Sequence, residues 1–173
     1  MLFRALAFAA FGPGAALAQD VRVWNYVRYV EPVPTDTVLD LGYGVPQSDD
    51  VQAAMLCTID GARTYAQTLM AADVQGLATG AEVGLDVSAP GYSARIAGRV
   101  VRHEEYIHGV EMAIALDDAF WSALMAGGAM TYGVPGRTRQ TLPLDGATDL
   151  AHAFLGDCLS IRDLTPDAPA PVK

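Results

Sequence analysis

Residues 92–126 read YSARIAGRVVRHEEYIHGVEMAIALDDAFWSALMA, and their periodicity decides the fold. Tyr92 to Arg102 and Ile107 to Leu116 are two extended runs that pair as a long hairpin, with the turn near His103-Glu104-Glu105. In the second run His108, Val110, Met112, Ile114 and Leu116 recur at every other position and share a face, the period of a strand. At Asp117 the period changes. Phe120, Trp121, Leu124 and Met125 fall at helical spacing, Asp117 or Asp118 can cap the start, and Gly127-Gly128 ends the helix.

Moving outward from this hairpin, the pattern stays extended. Glu82 to Ser88 alternates, with Val83, Leu85 and Val87 facing one way, and Ala89-Pro90-Gly91 turns the chain. Val51 to Ile59, carrying Cys57, is followed by Asp60-Gly61, a strong hairpin turn. Arg63 to Ala72 is the returning strand, although its alanines also allow a helix. Thr37 to Val45 places Leu39, Leu41 and Tyr43 on a face opposite Asp40. Val21 to Val30 puts Val21, Val23, Asn25, Val27 and Tyr29 on one face and Trp24 and Tyr26 on the other, and Glu31-Pro-Val-Pro34 ends it. Downstream, Ala129 to Val134 and Arg137 to Leu144 flank a Pro135-Gly136 turn. A final helix over 146–159 aligns Leu150, Phe154 and Cys158, with Thr148 or Asp149 as cap. Many short strands with closely spaced turns predict a mainly β fold: an antiparallel sandwich or partly open barrel with two short helices. Tyr43-Gly-Val-Pro46 recurs as Tyr132-Gly-Val-Pro135, each at a strand end. Shared turn chemistry or chance accounts for four residues more simply than a duplicated half-domain.

The chain opens with Arg4 ahead of an apolar run, Ala5 to Phe11, then a Gly12-Pro13-Gly14 break and Ala16-Leu17-Ala18. This is the pattern of a secretory signal over 1–18, cleaved before Gln19, and the run is too short to span a bilayer. One β-rich domain is expected over 19–164, with a disordered proline-bearing tail over 165–173. No later stretch reads as a transmembrane helix. The expected location is the periplasm of a Gram-negative bacterium, or outside the cell. Cys57 and Cys158 are the only cysteines, and an even pair in an exported chain reads as a disulfide. It would pin the last helix to the strand holding Cys57. Two free thiols or a metal pair are the competing readings, but two cysteines without CxxC spacing and only three histidines make a poor zinc site. The net charge is −9, and loss of Arg4 with the leader makes the mature chain more acidic still. Nucleic acid and anionic lipid are therefore poor partners.

No motif carries chemistry outright. His103, Glu104, Glu105 and His108 have the ligand types of a divalent-metal or hydrolytic site, with His103, Glu105 and His108 as the metal candidates. The competing reading is a solvated polar turn, because the spacing matches no metal motif. His152 falls on the final helix, away from the Cys158 face. Ser93 lacks the flanking glycines of a nucleophile elbow, no phosphate loop occurs, and no carboxylate pair stands out. No cofactor is implied. Arg137 and Arg139, two apart on an expected strand, could bind an acidic group or guard a sheet edge. Trp24 and Tyr26, near Tyr29 and Tyr43, could anchor an interface or pack in the core.

A strand ending Thr141-Leu-Pro-Leu144, then Asp145-Gly146-Ala147, then the helix Asp149-Leu-Ala-His-Ala-Phe-Leu155 closing on Cys158 resembles the ending of small exported domains. Among these are proteins of the invasion-associated locus B family of alphaproteobacteria. The resemblance covers about thirty residues plus Cys57. It implies a disulfide-bonded β domain in the periplasm and no known chemistry. The expected function is a non-catalytic binding or accessory module contacting a periplasmic or envelope protein. A metal-dependent or hydrolytic enzyme near His103–His108 and a structural envelope protein are the alternatives.

Overall fold

The computed structural model describes residues 21–59, 64–103 and 106–164. The expected leader over 1–18, the expected turn at Asp60-Gly61, Glu104, Glu105 and the expected tail over 165–173 lie outside them. Nine strands follow in the order β1 (Val23–Tyr29), β2 (Val38–Gly44), β3 (Val51–Thr58), β4 (Tyr65–Ala71), β5 (Glu82–Ala89), β6 (Tyr92–Arg102), β7 (His108–Ala115), β8 (Ala129–Gly133) and β9 (Gln140–Pro143). Helix α1 (Ala119–Met125) lies between β7 and β8, and α2 (Thr148–Leu159) follows β9.

All nine strands form one antiparallel sheet in the order β1-β2-β3-β4-β7-β6-β5-β8-β9, curled into a half-barrel. The partly open barrel expected from the sequence is therefore what the chain adopts, rather than two packed sheets. Its two ends meet through side chains. Trp24 Nε1 on β1 donates to the Pro143 carbonyl on β9 at 2.9 Å. Gln52 Nε2 on β3 donates to the Thr141 carbonyl at 2.8 Å and to the Tyr132 hydroxyl at 3.3 Å. A bulge aims Gln52 inward: Tyr43 pairs with Ala53 and Gly44 with Val51, leaving Gln52 as the extra residue.

The segment that also allowed a helix is β4. It is paired on both sides, by β3 and β7, and this pairing outweighs the weak strand preference of its alanines. Gly109 on β7 sits where a Cβ would collide with the Met70 backbone, so only glycine lets β4 and β7 approach this closely.

The inner face holds the core. Leu39, Leu41, Met55, Met70, Leu85, Val110, Met130 and Tyr132 are all buried there, and the helices plug the trough. An aromatic chain runs through it, from Phe120 to Trp121 at 5.4 Å, to Phe154 at 5.7 Å and to Tyr26 at 5.9 Å between ring centres. Asp118 caps α1, accepting from the Phe120 amide at 2.7 Å. At α2 the expected caps are corrected: the helix is entered from Ala147, and Thr148 instead donates to the Met125 carbonyl, tying the two helices together. The Cys57–Cys158 disulfide joins β3 to α2 with Cα atoms 5.9 Å apart.

The repeated Tyr-Gly-Val-Pro segments end in the same turn. Pro46 and Pro135 are each followed by a residue with positive φ, Gln47 at 60° and Gly136 at 75°. Each turn is closed by a bond to the valine carbonyl, from the Ser48 and Arg137 amides respectively. Proline followed by a positive φ is the type II pattern, so the repeat encodes a turn.

Candidate functional site

The strand expected from Arg137 begins only at Gln140, because the Pro135-Gly136 turn still governs the residues before it. The two arginines consequently do not share a strand face. Arg137 donates to the Gln75 carbonyl at 2.7 Å and lies 3.5 Å from Asp73, while Arg139 donates to the Thr131 carbonyl at 3.0 Å. Trp24 and Tyr26 are likewise committed to the fold. Trp24 closes the barrel as described, and the Tyr26 hydroxyl donates to Asp157 on α2 at 2.7 Å. Burial first, and then the Asp157 carboxylate, hold that hydroxyl protonated far above its ordinary range. Arg28 joins the same carboxylate at 3.4 Å.

The His103–His108 segment does not gather into a site among the described residues. The His103 amide bonds the Ile107 carbonyl, one rung beyond the Arg102–His108 pair. His103 packs edge-on against Tyr106 at 6.2 Å, whereas His108 lines a hollow with Asp73 and Arg102. No three His, Cys, Asp or Glu side chains converge among the described residues. His152 is an exposed residue of α2.

The outer face carries two hollows of interest. The larger, about 1090 Å³, spans β4 to β5 over a floor that includes Gly84, Ala97 and Ala113. Its arginines are already engaged: Arg95 with Asp86 and Arg99 with Glu111, each at 2.6 Å. The stem of Arg95 also lies over Gly84, where a Cβ would meet it at 2.9 Å.

The second hollow, about 510 Å³, differs in its electrostatics. Asn25 and Tyr29 stand on β1, Asp40 and Gly42 on β2, Ser48 in the following turn, and Tyr106 on the β6–β7 connection. Strand alternation puts Asn25, Asp40 and Gly42 on the outer face, because Leu39 and Leu41 take the core. Gly42 keeps the floor open; a Cβ there would meet Asn25 Oδ1 at 3.1 Å and Asp40 Oδ1 at 3.7 Å. Tyr106 is held over the sheet by a small outer cluster of Ala54, Leu69, Val101 and Ile107. Among the described residues Asp40 has no cation beside it, and its buried Oδ1 has no hydrogen-bond partner. Burial alone raises its pKa above the ordinary carboxylate value. Tyr106 is pushed up to about 12, by burial first and then by the Asp40 charge. The arginines flanking this region are already taken, Arg22 by Asp50 and Arg28 by Asp157.

Beside this cleft runs the sheet edge. Among the described residues β1 pairs only with β2. Among the described residues six large hydrophobic side chains are exposed, and four of them, Val21, Val23, Tyr29 and Val33, lie on β1 or just beyond its ends. The opposite edge is blunted, since β9 has four residues and ends in proline. Sequence alternation marks Val23, Asn25 and Tyr29 as one face of β1. It carries no signal that β1 is an edge or that Asp40 lacks a cation.

Comparison of the chain with known protein families, with curated proteins and with solved structures gives no significant match. The disulfide is consistent with an extracytoplasmic protein. No helix among the described residues is long and apolar enough to cross a membrane.

Proposed function

We propose that the protein is a non-catalytic binding module of an oxidising extracytoplasmic compartment, such as a periplasm. It takes an extended segment of an envelope protein against the free edge of β1. One observation carries this reading: exposed apolar side chains concentrate on and just beyond a seven-residue edge strand that, among the described residues, pairs on one side only. Such an edge offers backbone hydrogen bonds to an added strand, while its alternate side chains select the sequence. The chain is acidic, and the cations flanking β1 are neutralised within the fold, so a basic and apolar segment is the complementary partner. The resemblance of the C-terminal third to small periplasmic domains agrees with this setting.

The test is titration with a synthetic peptide of alternating valine and lysine, followed by tryptophan fluorescence or backbone NMR. Replacing Val23 by Lys together with Tyr29 by Asp should weaken binding at least about tenfold. The distant control Tyr65→Asp should bind normally. Equal losses in the two variants, or no binding by the unaltered protein at millimolar peptide, would overturn the reading.

A further inference from the structure

We propose that the outer cleft at Asp40 is a receptor for a single organic cation, the ammonium or guanidinium of a lysine or arginine side chain on the docked segment. The proposal rests on the β1 reading only for the source of that cation; the cleft has its own chemistry.

Three features of the cleft converge on this ligand class. The first is an uncompensated carboxylate. Asp40 is half-buried with Oδ1 withdrawn from water, and among the described residues it has no ion-pair partner and leaves Oδ1 without a hydrogen bond. A carboxylate in that setting gains more from an incoming cation than one already solvated or paired. The second is aromatic walls. Tyr29 and Tyr106 both line the cleft, and Tyr106 lies close enough to Asp40 to feel its charge. The face of an aromatic ring attracts a cation, so two phenol rings near one carboxylate suit an alkylammonium or guanidinium better than a bare metal ion. The absence of any cluster of three metal-ligating side chains among the described residues points the same way. The third is room. Gly42 supplies a floor without a side chain, and the hollow of about 510 Å³ accommodates a side chain of lysine or arginine length.

The register supplies the route. Asp40 pairs with Val27 on β1, so the carboxylate stands one strand in from the edge. Strands lie about 4.8 Å apart, so a strand added outside β1 runs about 10 Å from β2. A lysine or arginine on its outer face can lean across β1 and bring its charged end to Asp40.

The experiment uses the full mature chain and two probes, agmatine and a Val-Lys peptide compared with its Val-norleucine counterpart. NMR titration with agmatine should shift Gly42, Asn25 and Tyr106. Asp40→Asn should weaken agmatine at least about tenfold, in line with loss of a charged hydrogen-bond partner. Tyr29→Ser should weaken it about threefold. Asp40→Asn should melt no lower than the unaltered protein, which separates lost binding from lost folding. Agmatine binding that survives Asp40→Asn, or shifts that fall in the larger outer hollow, would overturn the proposal. If the lysine and norleucine peptides bind alike, the cleft proposal falls while the edge reading stands. If agmatine binds through Asp40 and neither peptide binds, the edge fails as the source and the cation site stands.

Discussion

Thr68 points its hydroxyl into the core from β4, fully buried and without a hydrogen-bond partner. Valine has nearly the same shape and no polar atom, so Thr68→Val should raise stability by about 1 kcal/mol in urea denaturation. A loss would mean that the hydroxyl is satisfied in solution. Asp40 gives a pH test. Its folded-state pKa lies above the unfolded value, so the protonated carboxyl is favoured by folding. Its contribution is present at low pH and is lost as pH rises through the ordinary carboxylate range toward the raised value. Asp40→Asn should therefore remove a fall in stability over that interval and be at least as stable at neutral pH. A variant that shows the same fall would place its origin elsewhere. At this scale the sequence was only partly legible. Alternation placed Asp40 opposite Leu39 and Leu41, but a missing ion pair is a property of neighbours from β1 and the β6–β7 connection. The aromatic density around Trp24 and Tyr26 was visible, and its use could not be read. Both residues turn inward, and the exposed Tyr29 stays outside.

Among the elements, α2 shows how local signals and tertiary partners divide the work. The stripe of Leu150, Phe154 and Cys158 was readable from spacing, and Phe154 and Cys158 are buried. The attachment of α2 to β1 through Tyr26, Asp157 and Arg28 spans more than a hundred residues and leaves no local trace. Tyr26→Phe keeps the ring against Phe154 and deletes only the hydroxyl, so it should cost about 1–2 kcal/mol in the same denaturation measurement. An unchanged midpoint would show that the bond contributes nothing beyond what water supplies. The turns were more legible than the strand that follows one of them. Pro135-Gly136 was read correctly, yet β9 starts three residues later than expected because the turn, closed by the Arg137 amide on the Val134 carbonyl, still holds the residues before Gln140. The Arg63–Ala72 segment was ambiguous for the opposite reason. Its composition allowed a helix, and pairing with β3 and β7 decided for a strand.

For the molecule as a whole, the disulfide and the curled sheet act together. The Cys57–Cys158 bond spans a sequence separation of 101 and fixes the helical plug onto the wall of the half-barrel. In the chain-entropy account, closing so long a loop contributes roughly 4–5 kcal/mol. Replacing both cysteines by alanine should lower stability by about that amount in denaturant titration, and a loss below about 1 kcal/mol would contradict the account. The mainly β class, both helices and this bond were legible because each follows from periodicity or from cysteine count. Strand order was not, because placing β7 beside β4 and β8 beside β5 depends on long-range pairing. Among the described residues the seam between β1 and β9 is bridged by side chains without strand pairing, which follows from that order, and on the proposed reading β1 accepts a partner strand there. Amide hydrogen exchange of the oxidised full chain, with and without a saturating Val-Lys peptide, tests this most directly. The account predicts slowed exchange at backbone amides of β1 between Val23 and Tyr29. Protection confined to β9 or to the outer hollow over β4–β7–β6–β5, with β1 unchanged, would contradict it.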